Sequence, residues 1–419
     1  MKINKHCFPN GLRLVHYEDT STQMVALNIV YDVGARDEHP EHTGFAHLFE
    51  HLMFGGSAHI PDYDTPLQLA GGENNAWTNN DITNYYLTVP KPNVETAFWL
   101  ESDRMLELAF SEQSLEVQRG VVMEEFKQRC LNQPYGDVGH LFRPLAFRVH
   151  PYRWPTIGKE LSHIEQATLD EVKSFFYRFY APNNAVLAVT GNISWDETVK
   201  LTEKWFAPIP RRDVPVRQLP QEPEQTQERR LTVERNVPLD ALFMGYHMCS
   251  REGADYYAFD ILSDILSNGR SSRLNRRLVQ EQNIFSGIDA YISGTRDAGL
   301  LQISGKPAAG VSLEQAEAAV RKELEELQRS PVDGQELEKV KNKFESTQIF
   351  GNINYLNVAT NLAWFELTGK AEDIDLEVER YRSVTTEQLH TVAQRTFCES
   401  KTARHDELDE EVIEFRTSD

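Results

Sequence analysis

The chain has 419 residues, more than one ordinary hydrophobic core accommodates, so two or more domains are expected. Its 40% hydrophobic and 26% charged composition is that of a globular protein, which excludes a largely disordered chain. The formal net charge of -21 excludes the basic surface by which nucleic-acid-binding proteins neutralise phosphates, and it disfavours binding to anionic membranes.

The N-terminal residues contain no sustained apolar segment of the signal-peptide type, and no stretch approaches the roughly 18 apolar residues of a membrane span. We therefore expect a cytoplasmic chain, unless a leader was removed. The cysteines lack any paired spacing, which argues against a disulfide framework and against a thiolate metal site. They are Cys7, Cys130, Cys249 and Cys398.

The first half of the chain mixes predicted strands and helices. Apolar alternation or continuous apolar runs predict strands, and apolar residues at helical spacing predict helices. In chain order the segments are the strands LRLVHYE and MVALNIVYDVG, the helix GFAHLFEHLMF, the strand NYYLTVP, the helices VETAFWLESDRMLEL, SEQSLEVQRGVVMEEFKQRCL and TLDEVKSFFYRFY, and the strand AVLAVTG.

A stretch rich in Pro, Gln and Glu separates the two halves, and its composition predicts an extended linker over 214–230. Domains are thus predicted at 1–213 and 231–419. The second half again reads strand (DALFMGYHM), helix (YYAFDILSDILSNG) and strand (GLLQISGKP), which indicates a diverged duplication. From Lys401 the tail is dominated by Asp and Glu, and we expect part of it to fray.

The helix GFAHLFEHLMF carries the residues that suggest chemistry. His47 and His51 are four residues apart, so both imidazoles lie on one face of the helix beside Glu50. Two imidazoles at this spacing suit zinc, and the order HxxEH mirrors the HExxH motif. Ordinary surface residues are the alternative, but the flanking sequence is apolar, so three buried polar side chains would need partners that a metal ion can supply.

A third ligand is expected from the helical segment QRGVVMEEFKQR, which offers the adjacent carboxylates Glu124 and Glu125. Only one of two adjacent residues can face the histidines well. The alternative is a solvated acidic face with no ligand. From the residues alone, the choice between the two glutamates stays open.

Three motifs in order, HLFEHLMFGG, GGENNAWTNNDITNYYLTV and VQRGVVMEEFKQR, resemble the pitrilysin and insulysin (inverzincin) metallopeptidases, particularly their short-chain branch similar to mitochondrial processing peptidase. The resemblance spans almost the whole chain. It implies an α+β fold of two homologous domains, each a mixed, mainly antiparallel sheet with helices packed on it. It also implies a zinc-dependent endopeptidase that holds unfolded or short peptides as an extended strand in a closed chamber.

Residue by residue, the resemblance makes His47, His51 and Glu125 the ligands of one zinc ion per chain, with Glu50 as the base that activates the zinc-bound water. The family has a further glutamate seven residues before the third ligand, and here that position is Gln118. Because seven residues are almost two helical turns, Gln118 is expected on the same face, where it would tune the metal by hydrogen bonding.

The resemblance also implies that Asn75 and Ala76 form a strand edge to which the peptide substrate adds through backbone hydrogen bonds. On composition alone, NNAWTNN is more typical of an Asn-rich turn.

The family's second half provides an Arg and a Tyr, seven residues apart, that stabilise the transition state, but this chain has Val279 and Ser286 at those positions. We therefore expect a heterodimer with a homologous chain that carries the Arg/Tyr pair. The alternative is an active homodimer in which Arg276, Arg277 or Tyr291 substitutes through a shifted register.

Two other functions are compatible with part of the sequence. A catalytically silent scaffold subunit of a peptidase or membrane complex would not need the intact pair of histidines and Glu50. A zinc hydrolase acting on non-peptide substrates would need a compact pocket in place of a long strand edge.

Overall fold

The computed structural model describes residues 1–397 and 410–417. The strands are β1 (Ile3–Cys7), β2 (Arg13–Glu18), β3 (Met24–Tyr31), β4 (Glu73–Thr78), β5 (Thr83–Pro90), β6 (Ala185–Gly191), β7 (Arg229–Arg235), β8 (Ala241–Met248), β9 (Phe285–Ile292), β10 (Gly299–Pro307) and β11 (Glu410–Thr417).

The helices of the described residues lie between these strands. They are α1 (Phe45–Leu52), α2 (Asp64–Leu69), α3 (Val94–Leu106), α4 (Glu112–Phe126), α5 (Val138–Ala146), α6 (Leu161–Glu165), α7 (Leu169–Phe179), α8 (Trp195–Trp205), α9 (Tyr256–Ser267), α10 (Leu313–Arg329), α11 (Gly334–Gly351), α12 (Tyr355–Thr368), α13 (Glu377–Ser383) and α14 (Thr386–Thr396). Each segment of the first half that the sequence predicts as a strand or helix contains an element of that type.

The first compact unit contains a sheet of six strands in the order β1-β2-β6-β3-β5-β4. Neighbouring strands are antiparallel except β2 and β6, which run parallel. Strand β4 is the last strand at one edge, where Asn75 lies opposite Tyr86 and Ala76 opposite Tyr85 of β5.

Both faces of this sheet are covered, as alternate residues of β3 show. Leu27 and Ile29 belong to a large core formed with helices α1, α3, α7 and α8. Ala26 and Val30 face the other way, into a smaller core closed by α12. Because both sets of alternate side chains are buried, β3 appears in the sequence as a continuous apolar run instead of a polar–apolar alternation.

The second compact unit contains five strands in the order β7-β11-β8-β10-β9, with β7 and β11 parallel and the other pairs antiparallel. One face packs on α9, α10 and α14. The other face packs on α5, where the ring of Phe142 lies over Gly245. A Cβ atom at Gly245 would meet that ring at 2.5 Å, so this position of β8 has room only for glycine.

The two sheets share one topology. The order β2-β6-β3-β5-β4 of the first unit corresponds to β7-β11-β8-β10-β9 of the second, with the single parallel pair at the same place. The predicted α+β fold, two similar units with mainly antiparallel sheets and packed helices, is therefore confirmed.

Each compact unit is built from several separate segments of the chain, whereas the sequence predicts two continuous domains. The first consists of Met1–Arg129, Trp154–Leu219 and Gln348–Glu377, and the second takes the intervening segments and the described residues from Val378 onward. Each half of the chain thus gives one helix, α5 or α12, to the unit built mainly by the other half. The division 1–213, 214–230 and 231–419 describes the repeat in sequence and stays a prediction.

The predicted linker lacks helix and strand over 214–227, and its last two residues enter β7. Of the acidic tail, residues 401–409 lie outside the described residues, and 410–417 form β11 in the interior of the second sheet; the expectation that part of the tail frays stays a prediction. Cys7, Cys130 and Cys249 are free thiols, and Cys398 lies outside the described residues. No helix in the described part of the chain combines the length and the apolar character needed to span a bilayer.

Candidate metal centre

Helix α1 is amphipathic, and this places its three predicted site residues together. Phe45, Leu48 and Phe49 are buried in the core beneath the helix. The imidazoles of His47 and His51 project from another face, with ring centroids 5.0 Å apart and nearly perpendicular planes.

The carboxylate of Glu125 on α4 completes a cluster with the two histidines. Its Oε2 lies 3.7 Å from Nε2 of His47 and 3.4 Å from Nε2 of His51. One ligand atom from each of the three residues can be chosen so that all lie within 4.8 Å of one another. The spacing of two histidines on one helix and the carboxylate on another is the juxtaposition expected from the sequence.

The structure also distinguishes the two adjacent glutamates. Glu124 pairs with Lys127 at 3.3 Å, and 58% of its side-chain surface is exposed. Glu125 has only 20% exposed. Of the two candidates, Glu125 is therefore the one that joins the cluster.

Electrostatics keep the cluster ready to bind a cation. Burial lowers the pKa of His47 to about 4, so its imidazole is neutral near pH 7. The hydrogen bond with His51 holds the pKa of Glu125 below its usual range, so its carboxylate is ionised. Arg129, one helical turn further along, lies 3.0 Å from Oε1 of Glu125 and fixes its orientation.

These residues fit a zinc ion on three grounds. Two imidazoles and a carboxylate form a common protein ligand set for catalytic zinc. Atoms about 2.0 to 2.1 Å from a tetrahedral ion are roughly 3.4 Å apart, close to the separations found here. A neutral His47 gains no ion pair from Glu125 at 3.7 Å, so its Nε2 has a lone pair available for a cation.

Glu50 lies on α1 between the two histidines and contacts the edge strand. Its Oε2 accepts a 2.6 Å hydrogen bond from the hydroxyl of Thr78, the last residue of β4. Burial raises the pKa of Glu50, and the hydrogen bond from Thr78 acts in the opposite direction. Neither Thr78 nor Arg129 is among the predicted site residues. Thr78 stands in the segment NNAWTNN of the predicted substrate edge, and Arg129 is at i+4 from Glu125, a spacing that pairs side chains on a helix.

Asn75 and Ala76 lie in the middle of β4, the last strand at one edge of the first sheet among the described residues. The side chain of Asn75 is exposed, and its Oδ1 accepts from the backbone N–H of Ala76 at 2.8 Å. The Asn-rich turn that composition favoured is wrong for these residues, because pairing with β5 makes them a strand. Their role in substrate binding stays a prediction.

Gln118 is half-buried on α4, the helix that carries Glu125. Its spacing of seven residues places it nearly two turns away along the same side of the helix. The predicted hydrogen bond from Gln118 to Glu125 or to a water stays a prediction.

In the second unit, neither position that replaces the family's Arg/Tyr pair offers a strong donor to a ligand. Val279 packs against the apolar core, and Ser286 donates to the backbone oxygen of Lys306. Arg277 is held by ion pairs with Glu323 and Glu326.

Two candidates of the alternative register remain. Arg276 is exposed and lies 3.6 Å from Glu281, and Tyr291 is 46% exposed on β9. Of the two, only Tyr291 lies on a strand of the second sheet.

Comparison with known proteins identifies the family. Residues 13–137, which include every predicted ligand and the predicted base, match the family model "Insulinase (Peptidase family M16)", and residues 166–344 match "Peptidase M16 inactive domain". The chain belongs to peptidase family M16. The resemblance inferred from three motifs is thereby confirmed, and the segment matched by the second M16 model lies outside the motifs of the metal cluster.

Relatives within family M16 are named as zinc proteases. The chain is 29% identical to "Zinc protease PqqE" of Helicobacter pylori over 338 residues, which cover 79% of this chain and 76% of the relative. It is 24% identical to "Uncharacterized zinc protease YmxG" of Bacillus subtilis, with 95% and 96% covered. The crystal structure of a protease from Helicobacter pylori superimposes with a TM-score of 0.92 at 25% identity, covering 99% of both chains.

Proposed function

We propose that the chain is a zinc-dependent endopeptidase whose ion is held by His47, His51 and Glu125 and whose general base is Glu50. The observation that carries this proposal is the approach of Glu125 Oε2 to the imidazoles of His47 and His51, at 3.7 and 3.4 Å. Glu50 lies between the two histidines in the sequence of helix α1. The zinc proteases among its relatives support the same chemistry.

Zinc bound at this cluster would polarise the peptide carbonyl and lower the pKa of the attacking water. The remaining work belongs to side chains of this protein. Glu50 takes the proton from the attacking water and delivers it to the leaving amine. Burial raises the pKa of Glu50, which makes its carboxylate a stronger base, and Thr78 orients that carboxylate through Oε2.

The free edge of β4 is the proposed substrate-binding strand. An extended peptide that pairs with Asn75 and Ala76 would run beside Thr78, which contacts Glu50. Backbone pairing selects for extended peptides and tolerates many side chains. We therefore propose unfolded or short peptides as substrates, held as an added strand in a closed chamber.

A homologous partner chain that carries the Arg/Tyr pair forms the second part of the proposal. Val279 is an apolar side chain that packs against the core, and Ser286 donates to the backbone oxygen of Lys306, so neither replaces those donors. The structure of the periplasmic protease PqqL from Escherichia coli matches this chain at a TM-score of 0.80 and 18% identity, but only 47% of the PqqL chain is covered. That single chain therefore has room for a second part of similar size, which supports the pairing of two shorter chains here. The homodimer that uses Tyr291 or Arg276 is the alternative.

The test compares the purified protein with Glu50→Gln. Wild type should contain one zinc per chain and, together with the partner chain, cleave an unstructured peptide library. Glu50→Gln should retain zinc and lose about 10²- to 10⁴-fold in rate, because only proton transfer is removed. Cleavage within a few-fold of wild type would remove Glu50 from the mechanism.

His47→Ala and His51→Ala are the matching metal variants. Each removes one of three protein ligands and should strip the zinc. Wild-type zinc content in both variants would contradict the metal site. A chain that binds zinc but cleaves nothing, alone or with a partner, would favour the scaffold function.

A further inference from the structure

Helix α1 begins without a capping side chain of its own. Its first residue is preceded by Gly44, which has a φ of +88°. A Cβ atom at Gly44 would lie 2.6 Å from Cδ1 of Ile164, so no Ser, Thr, Asp or Asn fits there to accept the free N–H groups of the first turn.

Glu38, six residues upstream, accepts those hydrogen bonds instead. Its Oε2 accepts from the N–H of Gly44 at 2.9 Å, and its Oε1 accepts from the N–H of Ala46 at 2.8 Å. The side chain is buried, with 7% of the residue exposed. When it is ionised, an acidic group at a helix N-terminus also interacts favourably with the helix dipole.

The turn that presents Glu38 is itself fixed from two sides. Trp154 donates its indole N–H to the backbone oxygen of Ala35 at 3.0 Å. Asp37, next to Glu38, is paired with Arg217. The backbone that carries Glu38 is therefore held in place by these two contacts.

We propose that Glu38 is a positioning residue for the metal cluster, setting the place of α1 so that His47 and His51 face Glu125. The inference rests on the proposed function. Ala46, which donates to Glu38, directly precedes His47, so the restraint acts one residue from the first imidazole. Partners that hydrogen-bond the ligand side chains themselves commonly change metal affinity about 10- to 100-fold, and we expect a loss of that order when the helix is displaced.

Ligand binding is the other role open to a buried acid beside a cavity. Glu38 borders a cavity of about 200 Å³, with His42 and Glu171 among its other walls. Both oxygens of Glu38 are already used by backbone N–H groups, and Nδ1 of His42 lies 3.2 Å from Oε1 of Glu171. The geometry therefore favours the helix cap over a ligand site.

The substitution Glu38→Gln tests the cap selectively. Burial raises the pKa of Glu38 to about 8, but a protonated carboxyl keeps an acceptor lone pair on each oxygen, so the cap persists in both states. The amide of Gln cannot accept both hydrogen bonds, because its NH₂ group would face one of the two backbone N–H groups and leave that N–H unpaired. The matched control is Glu41→Gln, the same change at an exposed residue of the same loop.

Zinc affinity is measured by competition with a chelating dye, at a temperature where circular dichroism shows each variant folded. Glu38→Gln should bind zinc about 10- to 100-fold more weakly than wild type, and Glu41→Gln should not. A role in stability alone would lower the melting temperature and leave the zinc affinity of the folded chain unchanged. Affinity within roughly threefold of wild type would overturn the proposal.

Amide hydrogen exchange of the zinc-free protein gives an independent measurement. In wild type, the N–H groups of Gly44 and Ala46 should be protected, and Glu38→Gln should accelerate their exchange at least tenfold while Glu41→Gln leaves it unchanged. Unprotected amides in wild type would overturn the cap even if Glu38→Gln fails to fold. Absence of zinc binding by wild type, with these amides protected, would refute the proposed function and leave the cap in place.

Discussion

Thr78 and Glu50 are joined by a 2.6 Å hydrogen bond from the threonine hydroxyl to carboxylate Oε2. The last residue of the edge strand β4 is thereby tied to the helix that carries the histidines. A peptide that pairs with β4 would thus lie beside Thr78, the residue that orients the proposed base Glu50.

Thr78→Val removes this hydrogen bond and keeps a branched side chain of similar size. Because the hydrogen bond lowers the pKa of Glu50, its loss should raise that pKa further and move the acid limb of the kcat/KM profile upward by up to about one pH unit. Thr78→Ser keeps the hydroxyl and should retain the wild-type profile. Coincident profiles for the valine variant and wild type would show that Thr78 does not influence the base.

Glu125→Gln should weaken zinc binding by at least roughly 100-fold, because it removes a charged group that contacts both imidazoles. Glu124→Gln is the matched control, since Glu124 pairs with Lys127 at the surface, and it should stay within about threefold of wild type. Metal titration of the two variants decides between the glutamates. Greater loss in Glu124→Gln would reassign the ligand.

The isolated chain should bind zinc but cleave peptides about 10²- to 10³-fold more slowly than the complete enzyme, because Val279 and Ser286 provide no transition-state donors. Adding a homologous chain with the Arg/Tyr pair should restore the rate. Tyr291→Phe tests the homodimer alternative. If the chain is an active homodimer that uses Tyr291, this substitution should remove the activity that the pure chain shows without a partner. Full activity of the pure chain, unaffected by a partner, would refute the division of donors between two chains.

His247 should make the second unit sensitive to acid. Burial lowers the pKa of His247 from 6.5 to about 4, with its Nε2–H donating to the backbone oxygen of Ala146 at 3.1 Å. Between these pH values the unfolded chain binds a proton that the folded chain excludes. The free energy of unfolding should therefore fall by up to about 3 kcal/mol as the pH drops through this range.

Denaturant titrations from pH 4 to 7 measure this effect. His247→Gln does not titrate and should show a shallower pH dependence than wild type. His6→Gln, at an exposed position of β1, serves as the control and should retain the wild-type slope. Parallel curves for wild type and His247→Gln would exclude His247 as the source.

Much of the metal cluster could be predicted from the sequence because its key contacts are local. His47, Glu50 and His51 lie within two turns of one helix, and helical spacing fixes which side chains share a face. Apolar flanks also predicted that this helix would be buried on one side. The residues alone left Glu124 and Glu125 open; the family resemblance favoured Glu125, and the packing of α4 against α1 brings that residue to the histidines.

Other features depend on contacts between residues far apart in the chain. The strand β4 is rich in Asn, which favours turns, and only pairing with β5 makes it a strand. Glu38 appears in the sequence as one of several acids in a polar loop, and its two hydrogen bonds to α1 emerge only when that loop folds back. Helices α5 and α12 are not among the elements predicted from the sequence, and the sheet that each one covers is set by packing between distant segments.

The placement of α12 on the first sheet has a consequence for biosynthesis. Val15, Val30 and Val186 face the core that this helix closes, yet the ribosome adds α12 long after β6. At a synthesis rate of about 5 to 20 residues per second, roughly 10 to 35 s pass between the completion of β6 and the completion of α12, and the apolar face of the sheet stays exposed in that time. During this interval the nascent chain offers a binding surface to chaperones. A premature stop between Gly191 and Tyr355 would release a chain with every residue of the metal cluster but without the helix that closes this face of the first sheet.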